Sequence, residues 1–199
     1  MKAKHMSTLS TNFALLIELF TNPRILSLFA LLVIAAVSDC RSYRIPNWLT
    51  LSGVIFGLAY NALLPSTSGH GLTWAALGML LCFAISLPLY LLHAMGAGDV
   101  KLMAMVGAFL GASDALPAAA SIYIAGGAAA LLYAMWHGSL GRLLHTVRML
   151  VQISVMSTFS GIKPDIQLGA NESIGKLPYA LSIGIGTLVF VVGRKLGYW

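Results

Sequence analysis

The sequence predicts an all-α, polytopic integral membrane protein, with about six transmembrane helices and one amphipathic helix at the interface. Three observations carry that prediction. First, 58% of the 199 residues are hydrophobic and only 9% are charged, with a mean hydropathy of +0.85. A soluble domain carries about 25% charged residues, so this chain has too few to cover a water-facing surface. Second, lipid offers no hydrogen-bond partners, and a spanning backbone must satisfy itself as helices or as a closed barrel. Barrel strands would alternate apolar and polar residues over segments of about ten, whereas the apolar runs here are long and unbroken. Third, clear breaks separate the runs, such as Pro65-Ser66-Thr67-Ser68-Gly69.

The same composition excludes several functions. The net charge of +6 comes from basic residues scattered through the loops, where membrane topology and contact with anionic lipid explain them without a nucleic-acid partner. Cys40 and Cys82 are far apart and form no Cys-x-x-Cys pair, so neither a zinc ribbon nor a disulfide framework is expected. The five histidines have no ligand spacing. No metal and no cofactor are expected.

Residues 1–24 read as a lead-in, and residues 25–199 as a single transmembrane domain. Lys2 and Lys4 precede the apolar stretch 13–20, as in a signal peptide, but Glu18 interrupts it and no small-residue cleavage site precedes Asn22-Pro23-Arg24. An interfacial or partly inserted segment is expected there rather than a removed signal. A span needs about 20 apolar residues. The first, Ile25–Ser38, is short unless its polar flanks sit in the interface. The second is Trp48–Leu64. The third is Leu72–Met95, with Pro88 as a kink. The fourth and fifth are Val100–Leu110 and Pro117–Trp136, separated by a loop from Gly111. The last is Leu177–Val192. Between the last two, Arg142, His145 and Arg148 recur every three residues opposite Leu143, Leu144, Val147, Leu150 and Val151. Leu140–Val155 therefore reads as an amphipathic helix on the membrane surface.

Lys and Arg in short loops set orientation. Arg41 and Arg44, Lys101, and then Arg142, Arg148, Lys163 and Lys176 fall on one side, while the loops Pro65–Gly71 and Gly111–Leu116 hold none. The first set is expected to face the cytoplasm. The chain ends, with Lys2, Lys4, Arg24, Arg194 and Lys195, then fall outside.

Only six acidic residues occur: Glu18, Asp39, Asp99, Asp114, Asp165 and Glu172. An ionisable residue at a membrane-buried position is by default a functional candidate. The topology puts Asp39, at the end of the first span, and Asp99, in the turn before the fourth, at the same edge. Two carboxylates in a partly dry site cannot easily both ionise, so they share a proton, as aspartic protease chemistry requires. The competing reading pairs Asp39 with Arg41 or Arg44, and Asp99 with Lys101. The second pair has poor geometry, because residues two apart on a helix do not face each other. Gly96 and Gly98 remove side chains beside Asp99 and leave a bare backbone edge suited to an extended substrate. Asp114 is expected to be a solvated loop acid, and Asp165 and Glu172 lie in a polar loop.

Three stretches together resemble the prepilin peptidase (type IV leader peptidase) family. They are Ser38-Asp39-Cys40-Arg41-Ser42-Tyr43-Arg44-Ile45-Pro46-Asn47, then Gly96-Ala97-Gly98-Asp99-Val100-Lys101-Leu102, and then Leu177-Pro178-Tyr179-Ala180. The resemblance implies a membrane-embedded aspartic endopeptidase of the bacterial inner membrane, with Asp39 and Asp99 as catalytic acids. It implies prepilin or pseudopilin substrates with a short basic leader, cut at the cytoplasmic face before a hydrophobic helix. Gly96, Gly98, Lys101, Pro46, Asn47, Pro178 and Tyr179 are expected around the site. Asn47 is available as a helix N-cap. Arg41, Arg44 and Lys101 either contact lipid phosphates, tune the acids or simply fix topology. The chain resembles the short form found with tight-adherence (Flp-type) pili, which implies no methyltransferase activity.

Other functions compete with this one. Membrane acids alone fit a proton- or cation-coupled small transporter equally well, and proton-coupled uptake without pilin cleavage would favour it. A noncatalytic pilus assembly subunit would keep its function after loss of either acid. A presenilin-like protease shares Gly-x-Gly-Asp but carries a Pro-Ala-Leu block near its C-terminus, which this sequence lacks.

Overall fold

In the computed structural model, residues 21–63, 71–92, 95–136, 138, 141, 148, 152 and 179–197 are described. Six helices lie among them: α1 (Pro23–Ser42), α2 (Asn47–Leu63), α3 (Leu72–Leu91), α4 (Ala97–Leu110), α5 (Ala112–Trp136) and α6 (Tyr179–Lys195). No strand occurs among the described residues, and the protein is an all-α membrane protein. The lead-in 1–20 and nearly all of the proposed amphipathic segment Leu140–Val155 lie outside the described residues.

The first span is longer at both ends than its apolar core. Asn22 caps it by accepting from the Arg24 N–H at 3.1 Å, and Pro23 supplies a helical φ in the first turn. At the other end the polar run Asp39-Cys40-Arg41-Ser42 continues the helix until Tyr43, whose left-handed φ of 50° closes it. The result is 20 residues, about 30 Å at 1.5 Å per residue, which removes the shortfall. Conversely, α3 ends at Leu91 rather than at Met95. Pro88, in its last turn, cannot donate to the Ala84 carbonyl one turn back, and the helix closes with the Leu92 N–H on the Pro88 carbonyl at 3.0 Å.

The fifth span needs a larger correction. It begins at Ala112, so the expected loop 111–116 is a single hinge residue, Gly111, followed by helix. Gly111 has φ 85° and ψ 178°, a region open essentially to glycine alone. Pro117 sits inside the helix near its start, where only one intrahelical bond is lost.

Among the described residues, three helices are long and apolar enough to cross a membrane: α1, α3 and α5. The others are shorter, at 17, 14 and 17 residues, so the expected six spans reduce to three on this criterion. The shortness of α4 has a physical reason. It covers about 21 Å and touches each of the other five helices. Val100 and every residue from Leu102 to Leu110 are buried. It is the axis of the bundle and meets little lipid. Around it, α3 approaches so closely that a Cβ on Gly78 would collide with the carbonyl of Gly107. Outside, large apolar side chains such as Val33, Leu51, Ile124 and Leu132 are exposed, as expected where lipid rather than water surrounds the helices.

Candidate active site

One end of the bundle gathers the starts of α2, α4 and α6 and the end of α1. Asp39, in the last turn of α1, is 7% exposed, and Asp99, in the first turn of α4, is 8% exposed. Each carboxylate accepts a backbone N–H. Asp39 Oδ2 takes the Ala180 N–H at 3.1 Å, and Asp99 Oδ2 takes the Gly96 N–H at 3.1 Å. The second bond is the return half of a capping box: an acid three residues into a helix satisfies the N–H of the residue that caps it. The first exists because an N–H in the first turn of a helix has no intrahelical acceptor, and α6 begins at Tyr179.

The two acids interact. Burial pushes the Asp99 carboxyl up to about 6, the Gly96 N–H opposes that shift, and the nearby charge of Asp39 adds to it. Asp99 lies in the first turn of the 14-residue α4, outside the three described helices that are long and apolar enough to cross a membrane. Tyr179 stands close enough to Asp99 that its phenol is raised, first by burial and then by the Asp99 charge. Two carboxylates on separate helices, with Asp99 pushed toward its neutral form by burial and by the charge of Asp39, form an acidic pair of which one member is held protonated near pH 6. Such a pair can act as general acid and general base on a water and a carbonyl.

The remaining candidates divide. Lys101 is turned away from Asp99 and donates to Asn47 Oδ1 at 2.8 Å. Asn47 is therefore not the N-cap of α2. The Pro46 carbonyl opens that helix, accepting from Leu49 and Thr50, and this frees the Asn47 side chain for Lys101. A Cβ on Gly98 would lie 3.2 Å from Ile45 Cβ, and one on Gly96 would lie 3.0 Å from Asp99 Oδ2. In this structure both glycines make room for the protein itself: Gly98 for Ile45, Gly96 for the acid. Arg41 and Arg44 are exposed. Pro178 lies outside the described residues. Among the described residues, no three His, Cys, Asp or Glu side chains gather as metal ligands.

Asp114 contradicts its expected role as a solvated loop acid. It is buried at the opposite end of the bundle and ion-paired with Arg194 of α6. Nearby, the Arg24 guanidinium lies 5.4 Å from the centre of the Trp74 ring, and its Nη2 donates to the Leu110 carbonyl at 3.3 Å.

Sequence reasoning missed the Ala180 N–H and the Ile45–Gly98 contact. A proline just ahead of an apolar run does signal free N–H groups at a helix start, but not which acid they reach.

The profile of the type IV leader peptidase family matches residues 26–138, more than half of the chain, including both acids. The preflagellin peptidase of Methanocaldococcus jannaschii is 35% identical over 82 residues, covering 40% of this chain. The match spans only 34% of that relative's length. No solved structure is significantly similar to the chain. With the family profile running through the Asp39 and Asp99 segments, the chain belongs to the type IV leader peptidase family.

Proposed function

We propose that the protein is an aspartic endopeptidase that removes leader peptides from prepilin- or preflagellin-like substrates at the cytoplasmic face of the bacterial inner membrane. In this reading residues 25–199 form one multi-pass peptidase domain, and Asp39 and Asp99 are its catalytic acids. The observation that carries it is the pair itself: two buried carboxylates on different helices, the charge of Asp39 acting on Asp99, and each accepting a backbone N–H.

The mechanism follows from elementary proton bookkeeping. The ionised carboxylate takes a proton from water as the oxygen attacks the scissile carbonyl, and the protonated carboxyl polarises that carbonyl. Collapse of the tetrahedral intermediate returns a proton to the leaving amine. Asp39 and Asp99 are equally buried, and the raised carboxyl of Asp99, pushed up to about 6 by burial and by the charge of Asp39, supports it as the partner that holds the proton at the start of the cycle. A substrate with a basic leader ahead of a hydrophobic helix would present its cleavage site at the membrane edge, where the acids lie. The family membership and the preflagellin peptidase relative support a leader-bearing substrate.

The test is cleavage of a co-expressed Flp-type prepilin in membranes, by the wild type and by Asp39→Asn and Asp99→Asn. These swaps keep side-chain size and remove the shared proton. The expected result is a shortened substrate with the wild type and a loss of about 10²–10⁴-fold with either variant at normal membrane levels. If both variants still cleave, the acids are not the site.

A further inference from the structure

The two acids sit on different helices, so something must fix their separation. From Asp39 the chain leads to α4 through five residues that are tied down along their length. Tyr43 N–H donates to the Asp39 carbonyl at 2.8 Å, and Ser38 Oγ donates to the Arg44 carbonyl at 3.0 Å. The end of α1 and the turn after it therefore form one unit that carries Asp39. The next residue, Ile45, packs on Gly98, and Asn47 accepts the Lys101 ammonium. Gly98 and Lys101 lie on either side of Asp99 in the sequence, so the turn grips α4 on both sides of the second acid.

We propose that this grip, formed by Asn47–Lys101 and Ile45–Gly98, sets the distance between the two carboxylates, and that Asn47 and Lys101 are positioning residues of the active site. Stability alone is a poor reason for the Asn47–Lys101 bond. Lys101 is exposed, and an exposed charged contact on a long flexible side chain adds little net stability. What the bond adds is register. It spans 54 positions of sequence and joins the start of α2 to the turn of α4 that holds Asp99. Among the described residues, the charged and titratable groups near Asp99 are Asp39 from α1 and Tyr179 from α6, with Arg41 and Arg44 exposed in the adjoining turn and Lys101, on its own helix, turned to Asn47. The bond leaves the Lys101 ammonium on a neutral acceptor, not on either acid.

The proposal rests on the peptidase reading for its meaning, and its test does not. In a chain carrying Cys40→Ser and Cys82→Ala, cysteines placed by Asp39→Cys and Asp99→Cys are linked with a short bismaleimide. Asn47→Leu and Lys101→Met are each expected to lower the yield about threefold or more. Their combination is expected to be no worse than the poorer single, because coupled residues are not additive. Asn47→Asp, which keeps an acceptor, should retain the yield. With both acids restored, the same Leu and Met variants should lower kcat about tenfold with KM nearly unchanged, as misplacement of reacting groups does. Unchanged yields, additive losses, or a defect confined to KM would each overturn the proposal. Absence of cleavage by the wild type would sink the peptidase reading and leave the cross-linking result to decide this one.

Discussion

The two ends of the bundle both bury carboxylates, and they treat them in opposite ways. At the far end, Asp114 in the first turn of α5 is ion-paired with Arg194 in the last turn of α6. Each charge also lies at the helix end whose dipole favours it. Arg24 beside them is held by the Trp74 ring and by a carbonyl at the end of α4. At the near end, among the described residues, Asp39 and Asp99 accept backbone N–H groups, and Asp99 lies in the field of Asp39. The far end spends its charges on holding helices together. The near end leaves like charges close to one another, which costs stability and keeps a proton available. Buried ionisable groups in membrane proteins are often grouped as functional, but the two ends of this molecule give theirs different partners, a cation at one and backbone N–H groups at the other.

The largest expected effect that sharpens this comparison is a dependence of stability on pH from the near end. Asp99 has its folded-state pKa raised from 3.8 to about 6, so the folded protein holds that proton more tightly than the unfolded chain. Its contribution is fully present below about pH 4 and is lost as pH rises through about 6, amounting to about 2–3 kcal/mol. Thermal unfolding in detergent should show this loss in the wild type and a flatter profile in Asp99→Asn. A parallel loss in both proteins would break the assignment to Asp99.

Next in size is the far-end pair. Arg194→Leu leaves Asp114 buried without its partner, and because Arg194 is itself 47% exposed, solvent limits the cost to about 1–2 kcal/mol. Asp114→Leu combined with Arg194→Leu should recover most of it. Neither change should alter the pH dependence of cleavage, since the pair lies at the other end of the bundle. The smallest effect belongs to Arg41→Ala. The residue is exposed, and its loss should move stability by less than about 0.5 kcal/mol. A larger drop would mean that this arginine, like Arg24 and Arg194, is structural.

Much of this was legible in the sequence, and the rest was hidden for definite reasons. The helical class, the break before Leu72, and the edge shared by Asp39 and Asp99 follow from hydropathy and punctuation, which are local. The start of α5 was misread because Gly111-Ala112-Ser113-Asp114 followed by Pro117 has the composition of a loop. In the fold, a glycine hinge and an early-helix proline let the helix begin five residues sooner. The burial of Asp114 could not be read at all, because its partner Arg194 is remote in sequence and basic residues at a chain end usually signal topology. Asn47 was expected to cap its own helix. That expectation ignored the Pro46 carbonyl, which opens the helix first, and the lysine that then competes for the amide. Polar residues proved hardest to assign wherever a long-range partner outbids a local one.

The central claim is that Asp39 and Asp99 share a working proton, and the most direct measurement of it is the pH dependence of leader cleavage by the purified protein in lipid. If Asp99 must be protonated, the rate should fall as pH rises above about 6, approaching tenfold per unit. A rate that stays level or climbs through pH 8 would contradict the account.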